Sequence, residues 1–439
     1  MIMQWYWVLL ALFGGLILLM LTSMPIAFCF LFINLIGLFF YFGTAGLEQL
    51  GYSMFASVDT FTLIPIPLFL LMGDVLFYSG LAPQMIRTLD KWLGRLPGRL
   101  SLLTVAAGVL FSVLTGTSMA SVAMLGSTLC PEMEKKGYAK SMILGPILGA
   151  GGLAMMIPPS SLAVLACAIG QISVGKTLIA IIVPGLMMAV IYAVYIIVRA
   201  KLQPDLAPSY DISEFPLSEK LIDSVKYILP VAVIVFLVVG VIFVGVATPS
   251  EAAATGALGT VIMAACYRKM NWNVAKKSVT QTITVTGMVF LIIAGATAFS
   301  QILAFSGAST GLSELTVKLA IAPILIIIMM QIVVLILGCF MSVVAIMMIT
   351  LPIFMPVVHV LGFDPVWFAV IFLINIEIAG ISPPFGMSLF VMKAVAPPDT
   401  TMGDVFRAGI VYSGLGLFAM TLIIVFPQIA LKLPELMMR

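Results

Sequence analysis

The sequence predicts an all-α polytopic membrane protein made of two inverted repeats of about five spans each. Three observations carry that prediction. Hydrophobic residues make up 62% of the 439 positions and charged residues 9%, whereas an average soluble domain is about a quarter charged. Two proline breaks, Ile157-Pro158-Pro159-Ser160-Ser161 and Ile381-Ser382-Pro383-Pro384-Phe385-Gly386, interrupt apolar stretches 225 residues apart. Upstream of each lies a Gly- or Ser-rich interruption of another apolar stretch, Gly116-Thr117-Ser118 and Gly338-Cys339-Phe340-Met341-Ser342. A helix cannot run smoothly through Pro-Pro, because ring clashes and missing N–H donors free backbone polar groups. In a bilayer core such backbone is tolerated only where it is buried in protein or lines a polar cavity.

Spanning a bilayer takes about 20 mostly apolar residues. In chain order, the first half offers full spans at 5–21, 25–42 and 61–79. Two shorter runs, 101–114 and 118–130, follow and suit a re-entrant hairpin over 101–131 with its tip at Thr115-Gly116-Thr117-Ser118. The run 141–171 contains the first Pro-Pro and is expected as two half-helices, and 177–198 closes the half. The stretch 199–226, with Pro204, Pro208, Pro216 and mixed charge, has the composition of a cytoplasmic linker. The second half offers 227–247, 250–267 and 279–303, then a hairpin over 320–356, a broken helix over 366–396 and a last span at 407–427. The first apolar run follows no basic residue and no small-residue cleavage site, so it is expected to be retained as a span.

Basic residues orient these segments. Four clusters (Arg87 to Arg99; Lys135, Lys136 and Lys140; Arg199 and Lys201; Arg268 to Lys277) all fall on the cytoplasmic side when the N-terminus lies outside and the first hairpin enters from inside. Five spans then precede the linker and five follow, which inverts the second copy over 227–439 relative to the first over 1–198. Matching landmarks support the repeat. Ser23-Met24-Pro25 corresponds to Ala247-Thr248-Pro249, and Phe77-Tyr78-Ser79-Gly80 to Ala304-Phe305-Ser306-Gly307, with offsets between 222 and 227. Segments 82–95 and 308–319 are weakly amphipathic and fit either helices that bend as domains move or ordinary interfacial helices.

The candidate site follows from the breaks. The tips place Thr115, Gly116, Thr117, Ser118 and Ser121, and Gly338 and Ser342, at membrane depth. Their hydroxyls and carbonyls suit a hard cation such as sodium; small-residue helix packing is the plain alternative. At each break the first half-helix ends in free carbonyls suited to a cation, around Pro158, Gly380 and Pro383. The second half-helix begins with free N–H groups suited to a carboxylate, around Pro159, Ser160 and Ser161, and around Ser382, Pro384, Gly386 and Ser388. Asp74 and Glu377 lie within apolar runs, where a carboxylate is costly and is either functional, protonated or paired. Glu251, just after Pro249, fits a helix's first turn.

Other functions find no support. The five cysteines are scattered singly without CxxC, so neither a disulfide framework nor a zinc site is expected. The single histidine, His359, sits near a segment end and is expected in an interfacial position, with a proton-relay role as the alternative. There is no GxxxxGK[ST] phosphate loop, no nucleophile–His–Asp set and no basic, aromatic-interleaved surface, so an enzyme and a nucleic-acid binder are both disfavoured. Inverted repeats with broken helices and hairpin tips describe a secondary transporter.

Over essentially its whole length the chain resembles the large membrane subunit of tripartite ATP-independent periplasmic (TRAP) transporters, the DctM-like family. The resemblance rests on Met156-Ile157-Pro158-Pro159-Ser160, on Gly245-Val246-Ala247-Thr248-Pro249-Ser250-Glu251-Ala252 and on Ile381 to Val391. Ser382 and Ser388 stand where the family pattern tends to have Thr and Asn. The resemblance implies Na+-driven import of an organic acid across a bacterial cell inner membrane, with Na+ as coupling ion. It implies a periplasmic substrate-binding protein that delivers the substrate and a small four-helix membrane subunit as partners. It also implies an elevator mechanism, with a transport domain of about 101–171 plus 320–396 sliding against a scaffold. A stand-alone divalent-anion sodium symporter is the alternative, and a channel or membrane scaffold a further one. The substrate is not legible; Lys393 is the basic residue nearest the candidate cavity.

Ser160→Ala and Ser382→Ala are each expected to lower uptake more than they lower folded yield. Full transport in both variants would remove these hydroxyls from the site.

Overall fold

A computed structural model describes residues 4–22, 24–94, 96–115, 117–208, 215–318 and 321–437. Of the sequence-derived assignments, Gly116 at the first hairpin tip, the side chain of Thr115, Ser23 of the repeat landmark and Arg95 of the first basic cluster lie outside the described residues. The described chain is all helical, without a strand.

The first half runs α1 (Trp5–Leu21), α2 (Ile26–Phe42), α3 (Thr44–Val58), α4 (Pro65–Tyr78), α5 (Ala82–Leu93), α6 (Arg99–Thr115), α7 (Ser118–Lys135), α8 (Lys140–Met156), α9 (Ser161–Gly170), α10 (Val174–Ala180) and α11 (Ile182–Leu202). The second begins with a single rod of α12 (Leu217–Asp223), α13 (Leu229–Val235) and α14 (Val241–Phe243), joined through π-helical turns at Ser224–Ile228 and Phe236–Gly240. It continues with α15 (Pro249–Cys266), α16 (Trp272–Phe305), α17 (Ala308–Lys318), α18 (Pro323–Gly338), α19 (Val343–Val360), α20 (Pro365–Gly380), α21 (Met387–Val395), α22 (Met402–Val425) and α23 (Gln428–Leu436).

Among the described residues, six helices are long and apolar enough to cross a membrane, seven if the bent pair α8–α9 is one span. The sequence suggested ten. For α1 and α2 the difference lies in length, since a 17-residue helix rises about 26 Å, just short of a hydrocarbon core of about 30 Å. The 18-residue α15 is long enough but too rich in Ala, Gly, Ser and Thr to be as apolar. Conversely α19, assigned to a re-entrant arm on its apparent shortness, runs 18 residues through Pro352 and Pro356 and is by itself long enough to cross. Helix α3 was not anticipated; Gly46, Glu48, Gln49 and Gly51 leave its sequence too mixed for an apolar run.

Local chemistry explains the ends. Thr248 and Glu251 close a capping box at α15, with the Thr248 Oγ1 accepting from the Glu251 N–H at 3.3 Å and the Glu251 carboxylate accepting from the Thr248 N–H at 2.8 Å. Asp364 accepts from the N–H groups of Val366 and Trp367 at the start of α20. His359 is exposed in the last turn of α19. The amphipathic α5 is tied to the start of the second half: Lys91 bridges Glu219 at 2.5 Å and Asp223 at 2.6 Å, and the Trp92 indole donates to Ser224 Oγ. Those two acceptors, Asp223 foremost, hold the Lys91 ammonium above its usual range.

The centre of the fold is α8 and α20, whose residues are buried almost without exception. A helix buried all round needs small residues where neighbours cross. Gly145 and Gly149 seat the Tyr412 ring of α22 against α8, and a Cβ on Gly149 would lie 2.2 Å from it. A Cβ on Gly338 would lie 2.0 Å from the Ala379 methyl, so the second hairpin presses directly on α20. Gly185 of α11 lies under the end of α8, where a Cβ would sit 2.3 Å from the Met156 carbonyl oxygen.

Because that neighbour is backbone and cannot swing away, Gly185→Ala should destabilise the protein by about 1–3 kcal/mol. Gly14, where an added methyl would meet nothing within 4 Å, should accept alanine without loss. Thermal unfolding of the two variants in detergent checks the contrast.

Candidate functional site

Each Pro-Pro break converts one apolar run into two helices with a polar gap between them. At the first, α8 ends at Met156, Ile157 is extended, the Pro158–Pro159 bond is cis, and the chain bends by 51° into α9. Ser160 caps α9, its Oγ accepting from the Ala163 N–H at 3.2 Å. At the second, α20 ends at Gly380, the Pro383–Pro384 bond is cis, and α21 starts after Gly386. Here the carbonyls of Gly380 and Ser382 crowd Gly386, where a Cβ would lie 2.6 and 2.8 Å from them, so this position excludes a side chain. Ser382 Oγ donates to the Ile378 carbonyl at 2.7 Å and lies 3.1 Å from Ser413 Oγ of α22.

The two hairpins contact these breaks both within and across the halves. Thr117 caps α7 and Ser342 caps α19, each hydroxyl accepting from the N–H three residues on. At the first tip, Ser118 Oγ lies 3.2 Å from Ser388 Oγ of α21, so the first hairpin touches the second break. Gly126 of α7 packs against Val395 of α21 in the same way. At the second tip, Cys339 Sγ approaches the Pro383 carbonyl at 3.5 Å, and α19 also packs along α9, the half-helix after the first break. Asn375 of α20 donates to Gln331 of α18 through backbone and side-chain oxygens at 2.6 and 2.9 Å.

Between these elements lies a cavity of about 680 Å³. Of the sequence-derived site residues it is lined by Thr117, Ser118, Ser161, Gly338, Ser342, Gly380 and Ser388. Its opposite wall is apolar and comes from α2, α4 and α16, with Ile66, Val285, Met288 and Ile292 and the single polar side chain of Gln281, which sequence reasoning had not singled out. Pro158 instead borders a separate apolar cavity of about 420 Å³ beside α11 and the α13–α14 rod. Ser160 and Ser121 are fully buried, Pro384 is exposed, and Pro159, Ser382, Pro383 and Gly386 lie outside the lining of the large cavity.

Glu377 is the ionisable side chain in the described lining. It is 2% exposed, sits three residues before the end of α20 and faces Gly152 of α8, where a Cβ would collide with its carboxyl at 2.9 Å. Asp74 has a different role in the packing: its Oδ2 accepts from Thr282 Oγ1 at 2.9 Å, joining α4 to α16 away from the cavity. No group of three or more His, Cys, Asp or Glu that could hold a metal occurs among the described residues. Chemically, the cavity offers hydroxyls, helix ends and one carboxylate, a set suited to binding small polar species rather than to bond making or breaking.

The family model described as "Tripartite ATP-independent periplasmic transporter, DctM component" matches residues 13–429. The chain is 32% identical over 397 residues to the C4-dicarboxylate TRAP transporter large permease protein DctM of Pseudomonas aeruginosa, covering 90% of this chain and 91% of that one. It is 28% identical over 408 residues to the ectoine TRAP transporter large permease protein TeaC of Halomonas elongata, covering 92% and 94%. With the isethionate TRAP transporter permease protein DctMQ of Oleidesulfovibrio alaskensis it shares 31% over 355 residues, 81% of this chain and 55% of that longer one. Among solved structures, the Alcanivorax borkumensis YdaH transporter superposes with a TM-score of 0.63 at 15% identity, covering 87% of this chain and 88% of that one, a likeness of fold.

In a variant with the five native cysteines replaced by alanine, Thr117→Cys and Ser342→Cys, both partly exposed in the cavity, should react with a small water-soluble thiol reagent. Ser160→Cys, fully buried as a cap, should not; equal labelling of all three, read by mass spectrometry, would mean the cavity does not govern access.

Proposed function

The chain belongs to the DctM family of tripartite ATP-independent periplasmic transporters, and we propose that it couples sodium entry to the import of a small organic acid across a bacterial inner membrane. As a large permease subunit it is a multi-pass membrane transport protein. The observation that carries the finer reading is the cavity of about 680 Å³ lined by both hairpin tips and by the helix ends that flank both proline breaks. Helix N-termini at α9 and α21 attract anions, and carbonyl ends and hydroxyls attract cations, so one cavity serves a carboxylate and its coupling ion.

The paired elements support an inverted repeat. The starts of α2 and α15, α5 and α17, α6 and α18, α7 and α19, α8 and α20, and α9 and α21 are offset by 223 to 226 residues. Two copies whose hairpins enter from opposite faces bring their tips together at the midplane. The transport domain then comprises about 101–171 and 320–396. The remaining helices, including the apolar wall of α2, α4 and α16, act as scaffold, and the domain slides along that wall as an elevator. An apolar wall opposite a polar half-site is what such sliding requires, because few hydrogen bonds must break as it moves.

The substrate class follows from the site and from relatives whose names specify C4-dicarboxylate, isethionate and ectoine. With no Lys or Arg in the described lining, an anion is held by hydroxyls and dipoles, and selectivity rests largely with a periplasmic binding protein that hands it over. A small membrane subunit is the second partner; its fusion to the permease is implied by the DctMQ name of one relative.

Reconstituted in proteoliposomes with its small subunit, the protein should accumulate a carboxylate only when both an inward sodium gradient and a cognate binding protein are supplied. Accumulation without the binding protein would instead assign it to stand-alone sodium symport. Accumulation without sodium would remove the coupling ion.

A further inference from the structure

Glu377 presents an electrostatic problem that its surroundings do not solve. It is 2% exposed in the interior of a membrane protein, and neither carboxylate oxygen has a hydrogen-bond donor in good geometry. The Ser118 hydroxyl is the polar group that acts on it, and no Lys, Arg or His pairs with it among the described residues. An isolated carboxylate in such a place costs several kcal/mol unless a proton or a bound cation neutralises it. The protein has nonetheless made room for it, since Gly152 on the facing helix is the residue whose missing side chain admits the carboxyl group, with a Cβ there falling 2.8 Å from Glu377 Cγ and 2.9 Å from Oε1.

We propose that Glu377 is the anionic ligand of a monovalent-cation site completed by the hydroxyls of Ser118 and Ser388. Those hydroxyls lie 3.2 Å apart, both buried, and all three residues line the central cavity. Oxygen donors of this kind suit a hard cation, and a single carboxylate suits one positive charge. Divalent ions are served poorly: calcium takes six to eight oxygens, commonly several carboxylates, and magnesium demands a near-ideal octahedron. No second acid adjoins this one among the described residues. The three ligands come from α7, α20 and α21, and Gly152 of α8 backs them, so an ion bound here ties the first hairpin to both halves of the second broken helix, against α8.

This assignment rests on the sodium-coupled reading and sharpens it, naming the charged group that the hydroxyl-rich tips lack. The test is thermal unfolding of the purified full-length protein in sodium chloride against choline chloride at equal ionic strength. Wild type should be stabilised by sodium in a saturable manner. Glu377→Gln, which keeps the shape and removes the charge, should raise the sodium concentration for half-maximal stabilisation by at least about 10–100-fold, the range that loss of an outer-shell partner alone produces. Glu377→Asp, which keeps the charge, should stay closer to wild type than to Glu377→Gln. Gly152→Ala, which displaces the carboxyl without removing it, should weaken the sodium response in the same direction and serves if Glu377→Gln does not fold. A wild-type sodium response that persists unchanged in Glu377→Gln or, should that variant not fold, in Gly152→Ala overturns the Glu377 assignment and leaves sodium coupling standing. The absence of any sodium response in wild type overturns both.

Discussion

A broken backbone in hydrocarbon must find partners for its freed N–H and C=O groups, and the rest of this structure is arranged to supply them. Each unsatisfied group costs a few kcal/mol in such a medium. The first Pro-Pro break is therefore buried throughout, and the second is covered except at Pro384 and Phe385. The Met156 carbonyl is covered by Gly185 of α11, Ser160 caps α9 with its own hydroxyl, and Ser382 returns a bond to Ile378 and meets Ser413. What those contacts leave open is the cavity between the hairpin tips. The glycines of α8 follow from the same demand. A helix carrying a break can be fully enclosed only if α22, α7 and α20 approach its backbone closely, as they do at Gly145, Gly151 and Gly152.

The crosswise contacts give the breaks their collective character. If each hairpin served only its neighbouring break in sequence, the two halves would form separable sites. Instead the first tip touches α21 through Ser118 and Ser388, and the second hairpin lies along α9. A ligand bound in the cavity thus contacts elements from both halves of the chain. Its binding is coupled to how those halves pack, which is the physical condition for alternating access under the proposed reading.

The breaks, the tips and most helix positions were legible in the sequence because proline and apolar run length act locally. Helix α9 begins at Ser161 and α19 at Val343, both next to residues picked out from composition alone. Length judged crossing less well, since Pro352 and Pro356 made α19 look shorter than its 18 residues. Helix α3 was missed because its mixed composition carries no apolar signal. Within the site, the sequence located hydroxyls but not their directions. Ser160 and Ser161 are adjacent, yet one caps a helix and the other lines the cavity, a distinction set by helix phase that no residue count reveals. Gly152 was unreadable for a similar reason: its importance lies in what faces it from more than two hundred residues away.

The electrostatics of the cavity bear on the order of events. A site meant for an anion would ordinarily carry Arg or Lys, yet the ionisable group in the described lining of this one is an acid, Glu377, which under the proposed assignment is ionised when the cation binds. Two negative charges a few ångströms apart in a low-dielectric space repel by several kcal/mol. An organic acid therefore enters a neutral or positive cavity far more readily than one holding a bare carboxylate. A cation bound at Glu377 removes that barrier, and with the helix N-termini of α9 and α21 it leaves a field that favours the substrate. Under this assignment the ion lowers the energy of the loaded state without touching the substrate. The coupling is then reciprocal, since an anion in the cavity must tighten cation binding by the same factor. A transporter built this way needs no basic residue at its centre, because the driving ion supplies the positive charge on each cycle.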